Sequence, residues 1–182
     1  MSYGSGFFSG EEWLDTVTLA PGLVIYEQSI GVASSSSGFS PFDGILAVGP
    51  VDLTASTVSN TNTVPTVPDN LLSQKKISEE VLGVYFVPAS EPSSTGKLTF
   101  GGYDSSVITS SVSYVPLTTT QPSSFYWGIN GSVKYGSKTI LSSTAGIVDT
   151  GTTLVLIATG EWYTMLIPTD SQSWLMSRIG SL

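Results

Sequence analysis

The segment Ala145-Gly146-Ile147-Val148-Asp149-Thr150-Gly151-Thr152-Thr153-Leu154 sets a carboxylate between an apolar run and a glycine turn. Ile147 and Val148 are expected to carry Asp149 to the end of a buried strand. Thr150-Gly151 then turns the backbone sharply, because glycine accepts angles that a Cβ forbids. Thr152 and Thr153 follow, with hydroxyls able to hydrogen-bond the carboxylate or the turn. A carboxylate held between apolar strand and tight turn is costly unless such donors surround it. An isolated Asp-Thr-Gly ordinarily opens a surface turn; this one has a small-Gly-apolar-apolar lead and a Thr-Thr-apolar exit.

The rest of the chain reads as strands and turns. Ser2-Tyr3-Gly4-Ser5-Gly6-Phe7-Phe8-Ser9-Gly10 predicts strand, glycine turn and strand. It continues through residues 13–19, with Trp13, Asp15 and Val17 on one face and Leu14, Thr16 and Thr18 on the other. Pro21-Gly22 predicts a turn, residues 23–26 and 28–33 a further strand pair, and the serines at 34–37 a low-complexity loop. Phe42-Asp43-Gly44-Ile45-Leu46-Ala47-Val48-Gly49-Pro50 predicts a turn feeding a short buried strand. Residues 54–68 read as an irregular surface loop. Asp69 is placed as the N-cap of a short helix over 70–76, whose Lys75 and Lys76 suit the helix dipole. Strands are expected over 81–87, 96–102, 112–117 and 126–135, and a helix over 158–166. Turn signals every ~8–12 residues predict an all-β sandwich or barrel with few short helices. Trp13, Tyr85, Trp127 and Trp162 are assigned to the core.

Composition narrows the chemistry. With 182 residues, 40% of them hydrophobic and 11% charged, the chain is long enough for one folded domain burying roughly 70% of its unfolded surface. No run approaches the ~20 apolar residues of a membrane helix, and the opening residues lack a charged and apolar leader pattern. Net charge is −8, and seven acids precede Lys75, the first basic residue. Without a basic patch, neither nucleic acid nor an anionic membrane is an expected partner. The absence of Cys and His excludes Ser-His triads, Cys nucleophiles and His/Cys metal sites, so no metal or cofactor is expected.

Four separated segments, in order, resemble the pepsin-like aspartic proteases. Tyr3-Gly4-Ser5-Gly6 resembles the tip of the flap that closes over substrate. Phe42 to Gly49 resembles the buried strand and turn near the end of the N-terminal lobe, with Ala47 where a glycine is usual. Leu98-Thr99-Phe100-Gly101-Gly102-Tyr103-Asp104 resembles the strand and turn that open the C-terminal lobe. Asp149-Thr150-Gly151-Thr152-Thr153 resembles that lobe's catalytic loop. The Ser/Thr-rich texture is similar to secreted basidiomycete fungal enzymes of the polyporopepsin type. The resemblance implies an all-β fold fragment: the second half of an N-terminal lobe over 1–90 and the first half of a C-terminal lobe over 91–160. A divergent tail then occupies 161–182. It also implies secretion and a peptide or protein substrate.

In that family two Asp-Thr-Gly loops face each other and share a proton between two aspartates; this sequence contains one. One ionised carboxylate activates water while the other, protonated, polarises the scissile carbonyl. By resemblance Asp149 is the catalytic carboxylate and Thr150 braces the loop. Gly151, Thr152, Thr153 and Ile45 line the cleft, and Tyr3, Gly4 and Ser5 reach substrate or water from the flap. Asp43 is the internal candidate for a second acid, although the resemblance makes it structural. Ser73-Gln74-Lys75-Lys76 and Ser94-Thr95-Gly96-Lys97 fit S-x-x-K without its companion motifs. Asn130-Gly131-Ser132 is a glycosylation sequon and equally a hairpin turn. Two functions follow: an aspartic endopeptidase whose monomer is inactive, or a non-catalytic β protein acting in binding or self-association. Open strand edges favour a homodimer or larger assembly, with catalysis only where two copies of Asp149 meet.

Overall fold

A computed structural model describes residues 1–4, 6–88, 90–91, 95–152 and 154–157 of the chain. It is an all-β structure with short helical pieces. Strand β1 (Phe7–Ala20) and strand β2 (Leu23–Ser37) make a long antiparallel hairpin closed at Pro21-Gly22, where Ala20 faces Leu23. Gly22 has φ +81°, the left-handed angle that a turn with Pro at its first corner requires at its second. Of the serines at 34–37, expected to form a loop, Ser35, Ser36 and Ser37 instead pair with Ser9, Phe8 and Phe7 at the end of β2, and Ser34 stands at a register shift. The ladder reaches them through three such shifts, so pairing of the backbone extends the strand whatever the side chains prefer.

Two further hairpins follow among the described residues. Strand β3 (Leu82–Tyr85) pairs with β4 (Lys97–Phe100), and β5 (Gly128–Tyr135) with β6 (Lys138–Ile147). All three sheets are two-stranded. Asn130-Gly131 lies inside β5, and Gly136-Ser137 makes the actual two-residue turn. Register shifts between Gly131 and Val133, so Ser132 has no partner on β6. Contacts divide the chain into two compact units, Met1–Tyr114 and one from Val115 onward.

The core of the first unit is small. Ile25, Val67 and Leu71 are buried together, with Leu19, Leu23, Ile77 and Phe100 packed against them. Val67 and Leu71 come from helix α1 (Val67–Ser73), whose N-cap is Thr66. Asp69, expected at the cap, sits three residues further in. Its Oδ2 accepts from Thr66 N at 2.7 Å and from Thr66 Oγ1 at 2.8 Å. Pro68 occupies the first turn, where its missing N–H costs nothing, and this draws the helix start upstream of Asp69. Lys75 adopts φ +56°, so both lysines lie past the helix, and Lys76 Nζ instead sits 5.3 Å over the Tyr26 ring. At the C-cap, Gln74 Nε2 donates to Tyr26 O at 2.8 Å while Tyr26 N donates to Gln74 Oε1 at 3.0 Å. Tyr26 lies where the β1–β2 register shifts and has no partner on β1.

Several expectations about burial fail. Residues 42–50 form no strand, and Ile45 is 55% exposed. Residues 112–117 contribute one bridge, Leu117 to Ile129. Trp13 is 58% exposed, Tyr85 is also exposed, and Trp127 is half-buried. Trp13 and Tyr85 lie on two-stranded hairpins, and a two-stranded sheet by itself gives a large side chain few neighbours. The helix expected over 158–166, Trp162 and the 161–182 tail lie outside the described residues. No described helix is long and apolar enough to cross a membrane.

Candidate functional site

Asp149 stands two residues beyond β6. The β5–β6 ladder runs from Tyr135 opposite Lys138 to Gly128 opposite Ile147, and Val148 N extends it by donating to Trp127 O at 2.9 Å. The hairpin therefore fixes the backbone up to the residue before the carboxylate. Gly151 N then donates to Asp149 Oδ1 at 2.8 Å and Thr152 Oγ1 donates to Oδ2 at 2.5 Å. Among the described residues each carboxylate oxygen receives one donor and keeps acceptor capacity for water or a shared proton.

Two features of this loop differ from expectation. Ile147 and Val148 are exposed, Val148 by 54%, and Asp149 is exposed as well, so the carboxylate is not lodged against buried strand. Nor is Gly151 left-handed. A Cβ built there would lie 3.2 Å from Asp149 Oδ1, so the glycine serves the close return of the carboxylate onto its own turn. Thr150 is exposed. Thr153 lies outside the described residues.

The other sequence-derived residues belong to the first unit. Met1 N donates to Phe8 O at 2.9 Å, Phe8 N to Met1 O at 3.0 Å, and Tyr3 N to Gly6 O at 2.7 Å. These bonds close a small hairpin carrying Tyr3 and Gly4 at its tip; Ser5 lies outside the described residues. The Tyr3 ring lies 6.4 Å from Phe8 in a stacked pair and 5.5 Å from Phe39 edge-on. Burial among these rings pushes the Tyr3 phenol above its ordinary value. Tyr3, Asp43 and Ile45 border one open concavity of about 1060 Å³, whose wall includes Phe39. Phe39 escapes the sequence reading because the serine run at 34–37 predicts a loop. Its signal is an aromatic placed just past the end of β2, where Ser37 faces Phe7.

The structure thus gathers Asp149, Gly151 and Thr152 in the unit from Val115 onward, and Tyr3, Asp43 and Ile45 around a concavity in the unit Met1–Tyr114. Among the described residues no group of three or more Asp or Glu is arranged to hold a metal ion.

The chain is similar to known proteins. The family described as eukaryotic aspartyl protease matches residues 1–170. Polyporopepsin from Irpex lacteus is 60% identical over 162 residues, covering 87% of this chain and 47% of its own length. Rhizopuspepsin from Rhizopus chinensis is 38% identical over 162 residues, covering 86% of this chain and 39% of its own. The crystal structure of an aspartic proteinase from Irpex lacteus superposes with a TM-score of 0.87 at 57% identity, over 91% of this chain and 49% of that one. The chain spans less than half the length of each of these relatives.

Proposed function

This chain belongs to the eukaryotic aspartyl proteases of the pepsin-like kind, and from that premise we propose that it is the part of an acid endopeptidase that supplies one catalytic carboxylate, Asp149. The observation that carries this reading is the pair of donors, Gly151 N and Thr152 Oγ1, aimed one at each oxygen of Asp149. They hold the carboxylate plane while leaving each oxygen able to share a proton or a water. Tyr3, Gly4, Ser5, Ile45 and Thr153 are the substrate contacts in this reading, and Thr150 the brace. Residues 1–90 and 91–160 are then halves of two lobes. The substrate is a peptide or protein, and the compartment, by analogy with secreted relatives, is extracellular.

Hydrolysis needs a general base and a proton donor in the same step, and one carboxylate cannot be both. By the family pattern the partner is the aspartate of a second Asp-Thr-Gly, a motif that occurs once in these 182 residues. In this reading a second copy of the chain supplies it. Acid proteolysis, followed with and without pepstatin across protein concentrations, tests this. Activity per chain should rise with concentration and vanish in Asp149→Asn. Cleavage by a verified monomer, or cleavage surviving Asp149→Asn, overturns it.

A second reading has its own support. Trp13, Ile30 and Val32, which the β1–β2 register places on one face of the hairpin, are exposed. That surface suits a non-catalytic β protein whose role is binding or self-association.

A further inference from the structure

Asn130-Gly131-Ser132 is the sole Asn-X-Ser/Thr sequon in the 182 residues, and the proteolytic reading gives it no role. Asn130 lies mid-way along β5, opposite Ala145, and is exposed. Its amide is oriented from one side. Thr118, only 6% exposed, accepts at Oγ1 from Thr120 N at 3.2 Å and donates its single proton to Asn130 Oδ1 at 3.0 Å. Reversing the Asn130 amide would leave that buried hydroxyl proton without its acceptor, a state that buried polar groups avoid. The carbonyl therefore faces Thr118 and Nδ2 faces away from it.

On that face the cross-strand neighbour of Asn130 is the small side chain of Ala145, and Asn130 itself is exposed. Ser132, which carries the third sequon position, is exposed and stands outside the β5–β6 register. A substituent on Nδ2 would thus project from the strand without displacing the Thr118–Asn130 bond, which uses only the carbonyl oxygen.

We infer that Asn130 is an N-glycosylation site, an inference that rests on the reading of the chain as a secreted protein. The sugar donor is a lipid-linked oligosaccharide diphosphate. The bond between the sugar C1 and the diphosphate breaks, C1 bonds to Asn130 Nδ2, Nδ2 gives up one proton, and the lipid diphosphate departs.

The test supplies the secretory step so that the two readings fail separately. The chain is expressed in yeast behind a cleavable secretory leader, alongside Asn130→Gln, Ser132→Ala and Ser132→Thr. Luminal and medium fractions are digested with peptide-N-glycosidase in heavy-oxygen water and mapped by mass spectrometry. Wild type and Ser132→Thr should lose mass on digestion and carry a labelled Asp at position 130. Asn130→Gln and Ser132→Ala should run at the deglycosylated mass throughout. A further version of the same chain, bearing an added sequon at its C-terminus, reports access to the transferase. Unmodified Asn130 in luminal chains whose added sequon is occupied overturns the inference. Secretion from the natural gene is scored separately, by appearance of the chain in the medium.

Discussion

A hydroxyl and a backbone amide hold the two oxygens of Asp149, and their contributions are separable. Thr152→Val keeps the size of the side chain and removes the donor to Oδ2. On the proposed role of Asp149 it should lower turnover more than it raises KM, because the bond orients that carboxylate. A hydrogen bond to a charged group contributes about 1.5–3 kcal/mol, roughly ten- to a hundredfold in rate. Two other carboxyl groups respond to pH in opposite directions. Burial, then the charge of Asp69 and a hydrogen bond with it, push the Glu80 carboxyl up. That contact stabilises fully below the ordinary glutamate range and is lost as pH rises through the raised value. Glu80→Gln should therefore flatten the decline in melting temperature above that range. The Lys97 ammonium, with help from Ser106, holds the Asp104 carboxyl well below the usual carboxylate range. Its contribution is present above the ordinary aspartate value and is lost only in strong acid, so Asp104→Asn should destabilise across the mildly acid range. The bond from the Thr152 hydroxyl to Asp149 is legible in the sequence because its geometry is local. Exposure of Val148 is not, because burial depends on what covers the strand.

At the scale of elements, α1 supplies two of the three residues buried together in the first unit, Val67 and Leu71. Leu71 is fully buried against Ile25 and Val67, and Leu71→Ala should cost about 2–5 kcal/mol in denaturant unfolding. Thr66→Ala removes the hydroxyl that Thr66 shares with Asp69 at the helix start and should cost about 1 kcal/mol in the same measurement. If Asp69 were itself the cap, Thr66→Ala would be nearly silent, so this variant separates the two placements of the helix start. The hairpins are legible where a two-residue turn bears its own chemistry, as at Pro21-Gly22. They are illegible where length is decided by backbone pairing, as in the serines of β2. Asn130-Gly131 shows the same limit, since a favoured turn dipeptide lies inside a strand once Gly136-Ser137 has closed the hairpin.

For the whole molecule, family and all-β class are readable from four collinear motifs, whereas the sparse core is not. Apolar periodicity marks a face as suited to burial, but it does not say whether a second layer is present. Trp13, Leu14 and Val32 accordingly lie open, and sedimentation velocity should detect assemblies larger than the monomer, with weight-average mass rising with concentration. The carboxamide of Gln74 bears on what such assemblies become. It engages both the N–H and the carbonyl of Tyr26, the hydrogen bonds an incoming strand would otherwise make at the β2 bulge. One side chain thereby acts as a stopper against strand addition, which two-stranded sheets invite along their free edges. Gln74→Ala should leave circular dichroism near native while shortening the lag before thioflavin-positive fibrils form. An unchanged lag would mean that fibril growth does not begin at that edge.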